Sequence, residues 1–341
     1  MASSSGEVRA SFVTLGDGET LLAAVALRAV SPSAGIFGPD SMSWKINRES
    51  ALFLGAGRAA LLQLAHPWVA TALAEHSNLL SKPITRFHNT FRIVFTMIFG
   101  SLDQALAAAR HLYALHTRIR GEMPEDIAAY GRGSPYQANE INALTWVYAT
   151  LVGSAVLAYE CAMQPLSAAE RDQYYAESRT LAGLFGIPSA ALPENWEAFA
   201  AYNQQMHQSN ALGVSQTARS MAHNLLSGAG SWIHPPRWYR ALTAAWMPAR
   251  FREEFGLDFR PPNQRAAESA MRRLPGIYRN IPRSIRFAGP WHEARARLEL
   301  RPSGLLTHLS NRFWIGQPLL PFSGESPLPL LFCRDDREGR Q

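Results

Sequence analysis

Apolar positions recur with helical periodicity along most of the chain, and the periodic segments end at glycine, proline or capping residues. Recurrence every three or four residues predicts amphipathic helices, whereas strict alternation predicts strands. Residues 84–99 show the helical pattern clearly and end at Gly100, and Ser101 begins the next helix as a capping residue. We find neither alternating β-branched runs nor hairpin signatures, so the sequence predicts an all-α fold.

Residues 54–77 are apolar for most of their length, yet they contain His66-Pro67 and Glu75-His76. A proline inside a helix removes a backbone hydrogen bond, so the pattern predicts two helices with a break at His66-Pro67. Burial of imidazole and carboxylate groups costs several kcal/mol unless each group has a partner or a function. These polar residues are therefore candidates for a functional site.

The same stretch contains a weak nucleotide-binding motif. Residues 55–60 fit the pattern G-x-G-x-x-A, and Glu75 lies at the distance of a ribose-binding acid. The motif requires a strand before the glycines and βαβ units after them. The helical periodicity that follows disfavours this interpretation.

A second ambiguous stretch, residues 141–159, contains no charged residue over 19 positions. This length could span a bilayer. Polar residues such as Asn142, Thr145 and Thr150 reduce its hydrophobicity, and apolar residues occupy all of its sides. We favour the central buried helix of an all-α domain over a membrane span.

The composition divides the 341 residues into three segments. Residues 1–40 are rich in Ser, Gly and Ala and are predicted to form a flexible N-terminal leader without the pattern of a secretory signal. Residues 41–300 are predicted to form one helical domain. Residues 301–341, which include the sequence LPLLF at 328–332, are predicted to be an irregular tail.

The net charge of +6 comes almost entirely from scattered arginines. A nucleic-acid-binding protein would show a concentrated basic stripe or a known module, and neither is present. A solvated basic face is favoured, with peripheral contact to an anionic membrane or to an acidic ligand as the alternatives. The two cysteines, Cys161 and Cys333, predict no disulfide framework and agree with a cytoplasmic location.

Several kinds of catalytic site lack their residues in this sequence. There is no H-E-x-x-H motif, no paired cysteine and no G-x-S-x-G motif. A haem site needs less, because one imidazole holds the iron while apolar side chains surround the macrocycle and an arginine or lysine meets the propionates. His66, His76 and His116 lie on apolar helices, although a single histidine on such a face is usually a core residue.

Several segments, taken in order and spacing between residues 43 and 300, resemble the oxygenase family of latex clearing protein (rubber oxygenase) and the fungal oxygenase of mycophenolic acid biosynthesis. These segments are GRAALLQLAHPWVATALAEHS (57–77), residues 86–100, LHTRIRG (115–121), LTWVYATLVGSAVLAYE (144–160), LSAAERDQYYAE (166–177) and PARFREEFGL (248–257).

The resemblance implies a globin-like, all-α core in which one histidine holds a b-type haem. By this likeness His116 is the axial ligand, and Glu75 is the acidic residue of the oxygen chemistry. Arg92 and Thr96 match an Arg-x-x-x-Thr pair on the distal side of the haem. His116 also lies in phase with the apolar stripe of its own helix.

The sequence departs from the family at three positions. The rubber enzyme has a lysine before the threonine of its pair, where this chain has Phe95, so a lysine-capped iron is not expected. Tyr148 and Gly153 replace a histidine and an aspartate that are found in many relatives. These departures give no support for a polyisoprene substrate.

We therefore expect a haem-dependent oxygenase that acts with O₂ on a small apolar or aromatic molecule. Glu75 would serve as a base or polar anchor, and Arg92 and Thr96 would orient the distal pocket or a propionate. An ion pair between Glu75 and Arg92 is expected, and its alternative role is purely structural. The alternative function is a haem-free helical ligand-binding protein of the same fold.

Overall fold

The computed structural model describes residues 12–77, 83–229 and 234–321. The helices are α1 (Leu15–Ala26), α2 (Met42–Asn47), α3 (Ala56–Leu64), α4 (Pro67–His76), α5 (Pro83–Phe99), α6 (Leu102–His116), α7 (Ile141–Ala162), α8 (Ala168–Leu184), α9 (Trp196–Gln208), α10 (Gln216–Ser227), α11 (Arg237–Trp246), α12 (Ala249–Glu254), α13 (Pro261–Arg279), α14 (Arg283–Arg286), α15 (Gly289–Leu298) and α16 (Leu305–Ile315). Two 3₁₀ helices span Ser50–Gly55 and Ser189–Ala191. The predicted all-α, single-domain fold is confirmed, whereas the globin-like character of its core stays a prediction.

The apolar helix α7 lies inside this fold and packs against α3, α13 and the first 3₁₀ helix. Glu140 caps its first turn, because its carboxylate accepts a hydrogen bond from the backbone of Ala143 at 2.7 Å. Trp146 is fully buried and donates its indole hydrogen to the carbonyl of Leu62 at 2.8 Å. The helix is long and apolar enough to cross a membrane, but 61% of its most apolar window is buried in the protein. By length and composition alone it is weak evidence for a membrane span.

The glycines of the apparent nucleotide motif serve helix packing instead. A Cβ atom on Gly55 would lie 2.6 Å from the carbonyl oxygen of Ser154 in α7. One on Gly57 would lie 2.7 Å from the hydroxyl of Thr243 in α11. No strand precedes these residues in the described part of the chain. The spacing of the glycines therefore reflects close approach between helices.

Residues 65 and 66 separate α3 from α4, as the sequence predicts. His66 has an extended backbone (φ −88°, ψ 117°), and Pro67 is the first residue of α4, where a missing N–H does no harm. The predicted break at His66-Pro67 is confirmed. After the break, α4 packs against α10 as well as α3.

The turn between α5 and α6 is built from local signals. The Ser101 hydroxyl accepts a hydrogen bond from the backbone of Gln104, and the Gln104 side chain accepts one from the backbone of Ser101. Gly100 passes so close to the carbonyl of Thr96 that a Cβ atom would collide with it. Helix α6 then runs to His116, which is its last residue.

Three segments differ from the expectation. Helix α1 lies in the predicted leader, where Leu22 and Val25 are buried against α6 and α8. A two-stranded antiparallel sheet, β1 (Arg120–Glu122) with β2 (Pro135–Gln137), occurs although the sequence shows no hairpin signature. Helix α16 lies in the predicted tail, whose LPLLF sequence falls outside the described residues.

Helix α16 covers one side of α5. The Trp314 ring stacks on Phe53 with centroids 3.6 Å apart. His88 Nε2 lies 3.0 Å from the carbonyl oxygen of Phe313. The Nε–H of Arg92 donates to the carbonyl oxygen of Ile315 at 3.0 Å. The C-terminal helix therefore fixes the back of α5.

Candidate functional site

A cavity opens between α4, α5, α6, α7 and the two-stranded sheet. The centres of water molecules could occupy about 160 Å³ of it, and a bound ligand would also fill the layer next to each wall. Most of its lining is aliphatic, as in Val69, Leu73, Ile93, Val94, Leu112, Leu144, Val147 and Leu151. The aliphatic character of this lining suits an apolar ligand.

His116 is the only histidine in the described lining of this cavity. Burial, together with the nearby charge of Arg86, lowers the pKa of His116 to about 4. The imidazole is therefore neutral at neutral pH and keeps a nitrogen lone pair. Its side chain makes no hydrogen bond with another described residue, so that the lone pair is available to a metal.

Arg86 and Thr90 line the same cavity from α5. Burial lowers the pKa of Arg86 to about 10, which leaves the guanidinium charged at neutral pH. Its Nη1 donates to the hydroxyl of Ser77 at 3.3 Å. The two residues form an Arg-x-x-x-Thr pair, spaced four residues apart on one helix face. This pair was not predicted from the sequence, although it has the Arg-x-x-x-Thr spacing that the resemblance assigns to the family.

Arg92 and Thr96, the pair chosen from the sequence, do not belong to the described lining of the cavity. Both are buried on another side of α5, where Arg92 bonds the carbonyl of Ile315. The hydroxyl of Thr96 donates to the backbone carbonyl of Arg92 at 2.7 Å. Of the two arginine–threonine pairs on α5, Arg86 and Thr90 line the described part of the cavity, and the role assigned to Arg92 and Thr96 stays a prediction.

Glu75 does not pair with Arg92 either. Its carboxylate is 43% exposed and accepts a hydrogen bond from the hydroxyl of Tyr136 at 2.5 Å. The same hydroxyl lies 3.0 Å from His76 Nε2. Tyr136 itself is buried and lines the cavity. Glu75 thus lies one hydrogen bond behind the cavity wall, and Tyr136 is a site residue that the sequence analysis missed.

Two other residues considered in the sequence lie away from the cavity. His66 is buried, and burial lowers its pKa to about 4. Its ring packs near Tyr130 and Trp68, with Nε2 3.4 Å from the Tyr130 hydroxyl. Phe95 packs in an aromatic row with Phe91 and others on α5. Neither His66 nor Phe95 is among the described lining residues.

A comparison with protein families identifies a catalytic domain in this chain. Residues 44–280 match the model of the catalytic domain described as "ER-bound oxygenase mpaB/B'/Rubber oxygenase". This range covers more than half of the chain. The chain belongs to this family. No curated protein and no solved structure matched the chain.

The family match begins in α2 and ends just after α13, so it contains every residue of the cavity described above. Helices α14 to α16 lie beyond it. The chain therefore carries an oxygenase catalytic domain, and α16, which lies outside the matched range, packs against α5.

The donor atoms of the cavity restrict the kind of metal that fits. Within the described residues, no three His, Cys, Asp or Glu side chains are grouped to hold a bare ion. A haem brings four ring nitrogens of its own and needs one protein ligand, apolar walls and a cation for its propionates. His116, the aliphatic lining and Arg86 match these three requirements.

Proposed function

We propose that the chain is a b-type-haem-dependent oxygenase that acts with O₂ on a small apolar or aromatic molecule. The observation that supports it best is the neutral imidazole of His116 in the wall of an aliphatic cavity. His116 would hold the iron through its free nitrogen. Arg86 would bind the propionates, and Thr90 would add a hydroxyl four residues further along α5.

When bound, the haem supplies the iron chemistry that activates O₂. The chain's own residues set the conditions for that chemistry. The low pKa of His116 keeps its ring deprotonated at the ligating nitrogen across the physiological pH range. The aliphatic walls exclude water, which strengthens the charge interactions of Arg86 inside the site.

Tyr136 connects the cavity to Glu75 and His76. Burial and the hydrogen bond to Glu75 raise the pKa of Tyr136 well above its ordinary value, so the hydroxyl keeps its proton. We assign Glu75 the role of a positioning residue that orients this hydroxyl. Because Glu75 and His76 are both partly exposed, a proton can pass between solvent and the Tyr136 hydroxyl at the cavity wall.

The lining also restricts the substrate. Its few polar groups besides His116 and Arg86 include Gln63, Thr90 and Tyr136, among many aliphatic side chains. A substrate with several charges would lose its hydration without replacement there. A small, mostly apolar or aromatic molecule fits this lining best.

The test starts with purified wild-type protein from cells supplied with a haem precursor. A Soret band and one haem per chain in a pyridine haemochrome assay are expected. O₂ consumption should then appear with members of a panel of small aromatic and aliphatic substrates. Protein that folds but stays colourless, even after reconstitution with hemin, would favour the haem-free ligand-binding alternative.

A further inference from the structure

A second and larger cavity lies between α10, α11 and the segment that joins α12 to α13. The centres of water molecules could occupy about 450 Å³ of it. It shares none of its described lining residues with the His116 cavity. Its size is within the range of small-molecule sites.

One wall of this cavity is cationic. Arg237 and Arg240 lie three residues apart on α11, so their side chains share one face of the helix. Arg237 is held in place, because its Nε–H donates to Asn263 Oδ1 at 2.9 Å. The guanidinium of Arg240 has no hydrogen bond or ion pair with any described residue. The cavity wall therefore carries two guanidinium groups. That of Arg237 is held by Asn263, and that of Arg240 has no partner among the described residues.

The single acid in the described lining does not neutralise them. Asp258 forms two hydrogen bonds of 2.8 Å with the guanidinium of Arg260, from Nε to Oδ1 and from Nη2 to Oδ2. This pairing holds the pKa of Asp258 well below its ordinary value, so the carboxylate stays charged and paired with Arg260. The positive charges of Arg237 and Arg240 on α11 are therefore not paired with a carboxylate of the described lining.

Much of the remaining lining is apolar. Its apolar residues are Leu226, Ala241, Ala244, Phe255 and Leu257. The two alanines lie about one turn apart on α11 and leave space beside the arginines, while Phe255 is almost fully buried where it borders the cavity. Cationic side chains beside apolar ones favour a ligand that has both a negatively charged group and an apolar part.

We propose that this cavity binds a soluble organic anion in which one carboxylate or phosphate group is attached to a compact, preferably aromatic, body. Arg237 and Arg240 bind the oxyanion, and the apolar lining residues around Phe255 contact the apolar body. A guanidinium binds either oxyanion through paired N–H donors. A free inorganic anion would leave these apolar residues uncovered, and a metal cation would be repelled.

The experiment is isothermal titration calorimetry of the full chain with phenyl phosphate as the probe. For a ligand of this size we expect a dissociation constant of about 0.1–1 mM. Inorganic phosphate should bind at least about tenfold more weakly, since it buries no ring. Benzyl alcohol, which has the ring without the charge, should also bind at least about tenfold more weakly.

Arg240→Gln should weaken phenyl phosphate binding by about tenfold. Its matched control is Arg272→Gln, which removes the same charge from an exposed position of α13 outside the described lining. Asn263→Asp provides a second test of the proposal. It retains a hydrogen-bond acceptor for Arg237 and places a negatively charged carboxylate in the cavity. It should abolish binding, and thermal unfolding will confirm that each variant is folded.

The absence of phenyl phosphate binding to the wild type would overturn the proposal. Equal weakening by Arg240→Gln and Arg272→Gln would also overturn it, since it would show a general charge effect. Binding only to vesicles that contain phosphatidic acid would reassign the cavity to a lipid headgroup. Haem content is independent of these outcomes, because Arg240 lies outside the His116 cavity.

Discussion

The hydroxyl group of Tyr136 donates a hydrogen bond to the carboxylate of Glu75 at 2.5 Å, and Tyr136 lines the cavity whereas Glu75 does not belong to its described lining. Among the described residues, Tyr136 is therefore the lining residue that connects this carboxylate to the cavity. His76 Nε2, 3.0 Å from the same hydroxyl, completes a group of three side chains that connects solvent to the cavity wall.

This relationship predicts that Glu75→Gln and Tyr136→Phe affect the same step. Each should lower kcat for O₂ consumption by about a hundredfold, a typical size for loss of assisted proton transfer, with KM unchanged. Haem content and Tm should stay at wild-type values. Glu125→Gln, an exposed change of the same charge, serves as the control. Turnover within a few-fold of wild type in both variants would exclude a proton route through Tyr136.

His116→Ala should lose the haem or hold it weakly, because no other histidine lines the described part of the cavity. The measurement is the Soret absorbance per chain after reconstitution. His111→Ala removes a half-buried histidine from the same helix and should leave that absorbance unchanged. An unaltered spectrum in His116→Ala would contradict the assignment and return attention to His76.

The two arginines of α5 should respond differently to substitution by methionine. Arg86→Met should weaken haem retention by about tenfold, because it removes the charge that faces the cavity. Arg92→Met should leave the haem spectrum unchanged but lower the free energy of unfolding by about 1–2 kcal/mol, since it frees the carbonyl of Ile315. Hemin titration and urea denaturation of both variants measure the two effects. The opposite pattern would restore Arg92 as the site residue.

Acid should destabilise the protein through His66. Burial lowers the pKa of His66 from 6.5 to about 4. Between these pH values the unfolded chain therefore binds a proton at His66, whereas the folded chain does not. The contribution of neutral His66 to the free energy of unfolding is fully present above pH 6.5 and is lost as the pH falls towards 4. About 2 kcal/mol of it is lost between pH 7 and pH 5. His66→Asn should remove this part of the pH dependence in urea denaturation, whereas exposed His234→Asn should not. Parallel curves for wild type and His66→Asn would contradict it.

The sequence predicts those parts of the fold that depend on neighbouring residues. The break before Pro67 and the helix cap at Ser101 need only a few residues in contact, and each occurs where it is expected. The strands of three residues are too short to show an alternating pattern. Helix α16 was not predicted, because its apolar run is short and lies between segments that contain proline and serine.

The choice between the two arginine–threonine pairs could not be made from spacing alone. They lie six residues apart on α5, which rotates one pair by about 240° relative to the other. Which of the two faces inward depends on how α6, α7 and α16 pack around the helix. One signal was present: Arg86 and Thr90 continue the face of Ile93 and Val94, both of which line the cavity.

The contacts between α5 and α16 also have a consequence for biosynthesis. Those from His88 to Phe313 and from Arg92 to Ile315 join residues 225 and 223 positions apart. At ordinary translation rates the ribosome needs roughly 10–45 s to make that length of chain. Through this interval α16 cannot cover its side of α5, and a chaperone can bind that side. The hydrogen bonds from α5 to Phe313 and Ile315 therefore form only after residues 305–315 have left the ribosome.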